Sequence, residues 1–264
     1  MTWRKNIMSS ERKIAIVTGA SRENGIGTAI CFKLAKLGYD IFFTHFSNFD
    51  VEVGYEDASK DWHIDLREQL KKTGVRCESM NIDFSDSMVS SELLNCVEST
   101  LGFPNILINN AAHCVEVDYA HVTHEIFQKH LNVNVLTPCM LSVEFSQRFG
   151  QKAGGRIINI VSGQDKSPEI GNLPYSTSKG AISTFTKTLA LEVASKGITV
   201  NAIDPGPTDT GWMSEEHKKE LLPKFPLGRL GTAEDACKLI AFLVSDEAEW
   251  ITGQVIHSDG GFKD

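Results

Sequence analysis

Short apolar runs alternate with segments of helical period along the whole chain, and this alternation restricts the fold more than any other feature. Residues 13–17 form the first run and end in Thr18-Gly19, as a buried strand does. After a glycine-containing turn, Ile26, Ile30, Leu34 and Leu37 recur at helical spacing and stop at Gly38, a residue suited to ending a helix. Further strands are read at 41–44, 75–82, 106–108, 156–161, 198–202 and 254–257, and helices at 65–72, 87–101, 125–149, 175–195 and 233–244. Residues 46–62 are polar with isolated aromatics (Phe46, Phe49, Tyr55) and read as a long connection. Strands alternating with helices imply a parallel sheet covered on both faces.

Right-handed crossovers make such a sheet doubly wound. The expected class is α/β, a Rossmann-type three-layer sandwich with a seven-stranded parallel sheet. A length of 264 residues allows one large domain or two small ones. No linker, repeat or low-complexity segment interrupts the alternation, so residues 13–264 are read as a single domain behind a flexible tail, 1–12. The net charge of −8 speaks against nucleic acid, which needs clustered cations. The N-terminus lacks the apolar core of a signal peptide, and no stretch reaches the length of a membrane span. Six cysteines, Cys31, Cys77, Cys96, Cys114, Cys139 and Cys237, are scattered singly; without a Cys-x-x-Cys pair they read as reduced thiols of a cytoplasmic protein.

Thr18-Gly19-Ala20-Ser21-Arg22-Glu23-Asn24-Gly25-Ile26-Gly27 joins the first strand to the first helix. Glycines there let the backbone approach a pyrophosphate, and a helix N-terminus favours its charge. Taken alone, the turn is also consistent with a tight strand-to-helix connection that holds no ligand. Tyr175 and Lys179 are four apart, so on a helix they share a face. Tyrosine titrates near ~10, too high for efficient proton exchange at neutral pH, and a neighbouring ammonium is expected to lower that value. Ser162 lies just past the fifth strand, at the sheet edge where α/β proteins bind ligands. No His, Cys or carboxylate cluster has metal-ligand spacing, so metal-free chemistry is expected.

Four motifs in order resemble the short-chain dehydrogenase/reductase family: the glycine turn, Asn109-Asn110-Ala111-Ala112, Tyr175-x-x-x-Lys179 with Ser162 upstream, and Pro205-Gly206 after the sixth strand. The resemblance spans the chain from Lys13 to Phe262. It implies a catalytic tetrad of Asn134, Ser162, Tyr175 and Lys179. In it Tyr175 exchanges the proton, Lys179 also binds the nicotinamide ribose, Ser162 contacts the substrate oxygen, and Asn134 holds a water. It further implies cofactor contacts at Gly19, Ser21, Arg22, Gly25, Ile26, Gly27, His45, Asp83, Phe84, Asn109, Ala111, Tyr175, Lys179, Pro205, Gly206, Thr208 and Thr210. For Asp83 an N-cap role is an equal alternative.

Two departures from the family pattern stand out. Glu23 and Asn24 lengthen the glycine turn, and 46–62 is longer than the usual connection, placed near the adenosine end. The wider turn is similar to the enoyl-reductase branch, but that branch uses Tyr-x6-Lys. Ala112 replaces a glycine. The second strand ends at His45 rather than at a carboxylate, and Arg22 is placed either to meet a 2′-phosphate or, given the insertion, to stand as a solvated turn residue, so NADP is the expected cofactor, with NAD possible.

The expected activity is hydride transfer between the nicotinamide and a carbonyl or secondary alcohol, as in NADPH-dependent ketone or 3-oxoacyl reduction. The alternative is an idle dinucleotide sensor on the same scaffold. The apolar segment containing Trp212, Met213, Leu221, Leu222 and Phe225 reads either as a substrate lid or as a small packed helix. A small-molecule substrate and a homo-oligomer, tetramer or dimer, are the expected partners.

Overall fold

A computed structural model of the protein describes residues 12–86, 88–150 and 154–263. The expected tail, 1–12, lies outside the described residues except for Arg12. The first strand, β1 (Ile14–Val17), leads into helix α1 (Ile26–Lys36), then β2 (Asp40–His45), α2 (Ser47–Val53), α3 (Trp62–Lys72), β3 (Cys77–Asn81), α4 (Val89–Thr100) and β4 (Ile106–Asn109). The second half runs α5 (His124–Leu131), α6 (Thr137–Arg148), β5 (Gly155–Ile160), α7 (Leu173–Val193), β6 (Ile198–Asp204), β7 (Thr208–Asp209), α8 (Glu215–Leu221), β8 (Gly231–Thr232), α9 (Ala233–Leu243) and β9 (Val255–His257).

Seven parallel strands form one sheet in the order β3-β2-β1-β4-β5-β6-β9, and β7 and β8 pair separately. The two-residue period of a strand explains the two cores. Ala15, Val17, Ile41, Phe43, Ile106 and Ile108 face one side and pack with α1, α3 and α9 through Leu34, Leu66 and Ile240. Ile14, Ile16, Phe42 and Leu107 face the other and pack with α4, α6 and α7 through Leu93, Phe145 and Leu189. The fold class is the one expected.

The structure corrects the sequence reading in two places that bear on function. The helix expected over 125–149 is broken: a π-helical turn, Asn132–Leu136, separates α5 from α6. Such turns insert a residue into the ladder and cluster at functional sites, and nothing in the apolar period announces one. The 46–62 connection is not a plain loop but carries α2, closed by Gly54 at φ 82°, a left-handed position that suits glycine. The segment around Trp212 folds as the short helix α8, with Met213, Leu221 and Phe225 packed on Leu230 and Phe262. Among the described residues no helix is long and apolar enough to cross a membrane.

Candidate active site

Strand order reverses at β1, with β2 on one side and β4 on the other, and ligands of open α/β sheets bind at such switch points beyond the strand C-termini. A cavity of about 320 Å³ opens there. Its floor is the glycine turn, through Gly19, Ser21, Arg22, Gly25, Ile26 and Gly27. The turn is packed to contact. A Cβ on Gly27 would sit 2.3 Å from the Gly19 carbonyl oxygen, and Asn110 Nδ2 donates to the Thr18 and Gly19 carbonyls at 2.8 and 3.0 Å. Gly25 caps α1 without a side chain, and the first turn of α1 has no acidic residue. Its free backbone N–H groups therefore face the cavity as an anion site, so these residues fit a dinucleotide.

Along the β2 and β3 edge the cavity is lined by His45, Asp83 and Phe84. His45 is buried, its ring stacked on His63 at 4.0 Å, and this burial pushes it down to about 4; it is neutral near pH 7. Asp83 Oδ1 accepts from Ser85 N and Oγ at 2.9 and 2.8 Å, a turn-capping role alongside its cavity position. Phe46 N donates to Ser21 Oγ at 2.9 Å, tying β2 to the glycine turn. Ala111 and Thr210 also line the cavity. Asn109 does not: its amide turns into the core and donates to Ser142 Oγ and Asn159 Oδ1 at 2.9 and 2.8 Å. Its neighbour Asn110 takes the cavity position.

Tyr175 lies near the start of α7 and reaches the same cavity. Lys179, one turn on, is 5% exposed, and its Nζ donates to the Ile160 carbonyl at 2.8 Å. Burial lowers Lys179 to about 8. The expected depression of the Tyr175 pKa is corrected: burial pushes the phenol up, and Cys114 and Asp204 push the same way. Lys179 Nζ stands 5.6 Å from the Tyr175 ring and points at a backbone carbonyl, too far and too engaged to offset desolvation. Tyr175 is thus a phenol that keeps its proton at neutral pH.

Asn134 sits in the π turn, buried, and does not line the cavity. Its Oδ1 accepts from His113 N at 2.7 Å, and its Nδ2 donates to the His113 carbonyl and Ser178 Oγ at 2.8 and 3.0 Å. It clamps the segment after β4 to the turn of α7 that carries Tyr175 and Lys179. Ser162 is extended (φ −139°, ψ 152°) just past β5, and Gly163 beside it leaves space only for Asp204 Oδ2, 2.6 Å from a would-be Cβ.

Pro205, Gly206 and Thr208 do not line the cavity but form a moored loop. Asp204 accepts from Gly206 N at 2.8 Å and from His257 Nδ1 at 2.7 Å, while Asp259 takes Lys166 Nζ at 2.8 Å and Gly261 N at 2.9 Å. Ligand atoms of Asp204, His257 and Asp259 lie within 4.8 Å of one another, a grouping invisible in their sequence spacing. Here they lash the loops after β5, β6 and β9 together.

Sequence reasoning missed Phe49, Asp50, His113, Cys114 and Lys129 on the cavity wall, and it did not place Tyr55 there. The signal for the first two and for Tyr55 was the unusual length of 46–62. The connection was expected at the adenosine end; the structure carries it to the cavity shared with Tyr175. Cys114 is exposed on that wall, and its Sγ donates to Asn172 Oδ1 at 3.6 Å.

The chain is similar to known oxidoreductases over nearly its whole length. The short-chain dehydrogenase profile described as enoyl-(acyl carrier protein) reductase matches residues 19–263. The uncharacterized oxidoreductase YjdA of Bacillus subtilis is 48% identical over 96% of this chain and 98% of its own length. The 3-oxoacyl-[acyl-carrier-protein] reductase FabG of Pseudomonas aeruginosa is 34% identical over 96% and 98%. A blue fluorescent protein from a metagenomic library, solved in complex with NADPH, superposes with a TM-score of 0.84 at 31% identity, covering 96% of this chain and 98% of its own. With the sheet order, the glycine turn and Tyr175-x-x-x-Lys179 in place, the chain belongs to the short-chain dehydrogenase/reductase family of NAD(P)-dependent oxidoreductases.

Proposed function

We propose that this protein is an NADPH-dependent carbonyl reductase acting on a ketone or a 3-oxoacyl thioester, with Tyr175 as proton donor. The observation that carries this reading is the shared cavity: Tyr175 and the anion-binding turn at Gly25–Gly27 line one cleft. Bound there, the nicotinamide supplies or accepts the hydride. Tyr175, kept protonated by burial, donates to the alkoxide that develops on the carbonyl oxygen, a much stronger base than a phenolate. Ser162 orients that oxygen, Lys179 holds the ribose, and Asn134 holds α7 in place and completes the proton path. Of the sequence-derived cofactor residues, Gly19, Ser21, Gly25, Ile26, Gly27, His45, Asp83, Phe84, Ala111 and Thr210 act directly, and Asn109, Pro205, Gly206 and Thr208 support them from behind.

The absence of a carboxylate at the end of β2, where His45 stands, favours the 2′-phosphate cofactor, as does the NADPH bound by the solved relative. The protein works as one domain, 13–264, in the cytoplasm, and assembles as a homo-oligomer through its long helices. The test is NADPH consumption against ketones, 3-oxoacyl thioesters and enoyl thioesters. Turnover of the first two classes is expected. Dinucleotide binding with no turnover would establish the sensor reading instead, turnover of enoyl thioesters alone would overturn carbonyl reduction, and a clear NADH preference would overturn the cofactor assignment.

A further inference from the structure

The chain departs from its family's pattern at Glu23-Asn24 and at 46–62, and in the fold these two departures touch. Arg22 Nη1 donates to Asp57 Oδ1 at 2.7 Å, and Arg22 Nε lies 3.3 Å from Asp50 Oδ1. The guanidinium stands 3.9 Å over the Tyr55 ring. Asn24 N donates to Asp57 Oδ2 at 2.9 Å, and Arg22 bridges Ala58 in antiparallel fashion. The three charged side chains are only 11 to 14% exposed, so this is a desolvated network rather than a surface pair of the kind that contributes little.

The same Arg22 Nη1 reaches across the cleft to the Thr210 carbonyl at 3.0 Å. Phe49 meets the His113 ring at 4.9 Å, and Phe49, Asp50 and Tyr55 face the cavity shared with Tyr175. The segment therefore spans the cleft from β2 to the catalytic end. The space beneath it, about 320 Å³, is at the bottom of the ~300–1,000 Å³ range for ligand and cofactor pockets.

We propose that residues 47–58 form a strap that closes the dinucleotide cleft, and that Arg22 is a positioning residue, the latch held by Asp50 and Asp57. The proposal rests on reading this cleft as the dinucleotide site. The strap swings off to admit the cofactor, and phosphate oxygens compete with the two carboxylates for the guanidinium. Arg22 thus senses any dinucleotide rather than reading the 2′-phosphate alone.

Hydrogen exchange of the dinucleotide-free protein tests the latch without any catalytic assumption. In Asp57→Asn, a near-isosteric change, the amides of 47–58 are expected to exchange roughly tenfold faster while those of β1 and α1 keep their protection. Arg22→Gln is expected to do the same, with faster association of NADPH and NADH alike. Unchanged exchange at 47–58 in both variants would overturn the proposal. So would an Arg22→Gln effect confined to NADPH affinity. Failure of the wild-type protein to bind either dinucleotide would refute the reading of the cleft, while the exchange measurement would still decide the latch. Asp50→Asn provides the second strap variant should Asp57→Asn misfold.

Discussion

The Tyr175 end and the Arg22 end of one cleft are built differently. At the first, α7 carries Tyr175 onto the cavity wall and Lys179 one turn on, behind the wall and pinned to the Ile160 carbonyl, while Ser162, also off the cavity lining, follows β5. Position there follows from rigid elements and short spacings. At the second, Arg22 meets Asp57 across 35 residues and Thr210 across 188. Position there follows from charges that only the fold brings together. The first design fixes Tyr175 and Lys179 on one helix; in the second a few charged contacts rather than a packed core hold the segment, as the proposed strap requires.

The comparison can be sharpened first at Tyr175. Tyr175→Phe removes the proposed proton donor and leaves the glycine turn intact, so turnover should fall about 10²–10⁴-fold with dinucleotide affinity nearly unchanged. Comparing kcat with Kd by titration checks this, and near-normal turnover would break the catalytic assignment. A smaller effect is expected at the floor both ends share. Gly27→Ala places a Cβ 2.3 Å from the Gly19 oxygen and 2.8 Å from Asn110 Nδ2, and should cost about 1–3 kcal/mol as overpacking does, read by chemical denaturation.

The remaining effects are two pH signatures of the same sign, one on the acid side and one on the alkaline side. His45 and His113, on the strap side, are both lowered to about 4 by burial. Below ~6.5 the unfolded chain binds protons that the folded one refuses, so stability falls as pH drops from there to about 4. Asp50, raised to about 6 by burial, opposes this over a narrower window. At the other end Lys179, lowered to about 8, gives up its proton in the fold first, so its own contribution to stability rises from about pH 8 towards ~10.4. The thiols of Cys77, Cys139 and Cys237, pushed up to about 12 by burial, act against it, since their contribution falls above ~8.5. Denaturation midpoints across pH check both limbs, and Lys179→Met should remove the alkaline one.

Much of the site was legible before the fold was known. The four-residue spacing of Tyr175 and Lys179 and the glycine turn encode local geometry, because helix period and glycine freedom act over a few residues. Asn134 was expected at the site, but its clamp on His113 and Ser178 behind the cavity was not legible, since it depends on a π turn set by packing between α5, α6 and α7. The Tyr175 pKa ran opposite to expectation for the same reason: desolvation is a property of the surroundings, and it outweighed a lysine that points elsewhere.

The sequence by itself determined the doubly wound sheet, the glycine turn at its switch point and the placing of Tyr175 and Lys179 one turn apart on a helix, because periodicity and short motifs carry their physics along the chain. The tertiary structure alone decided that Asn110 rather than Asn109 lines the cleft, that Asp204, His257 and Asp259 lash three loops together, and that the two insertions meet at Arg22. Those outcomes depend on which distant groups share a desolvated space, and spacing along the chain holds no record of that.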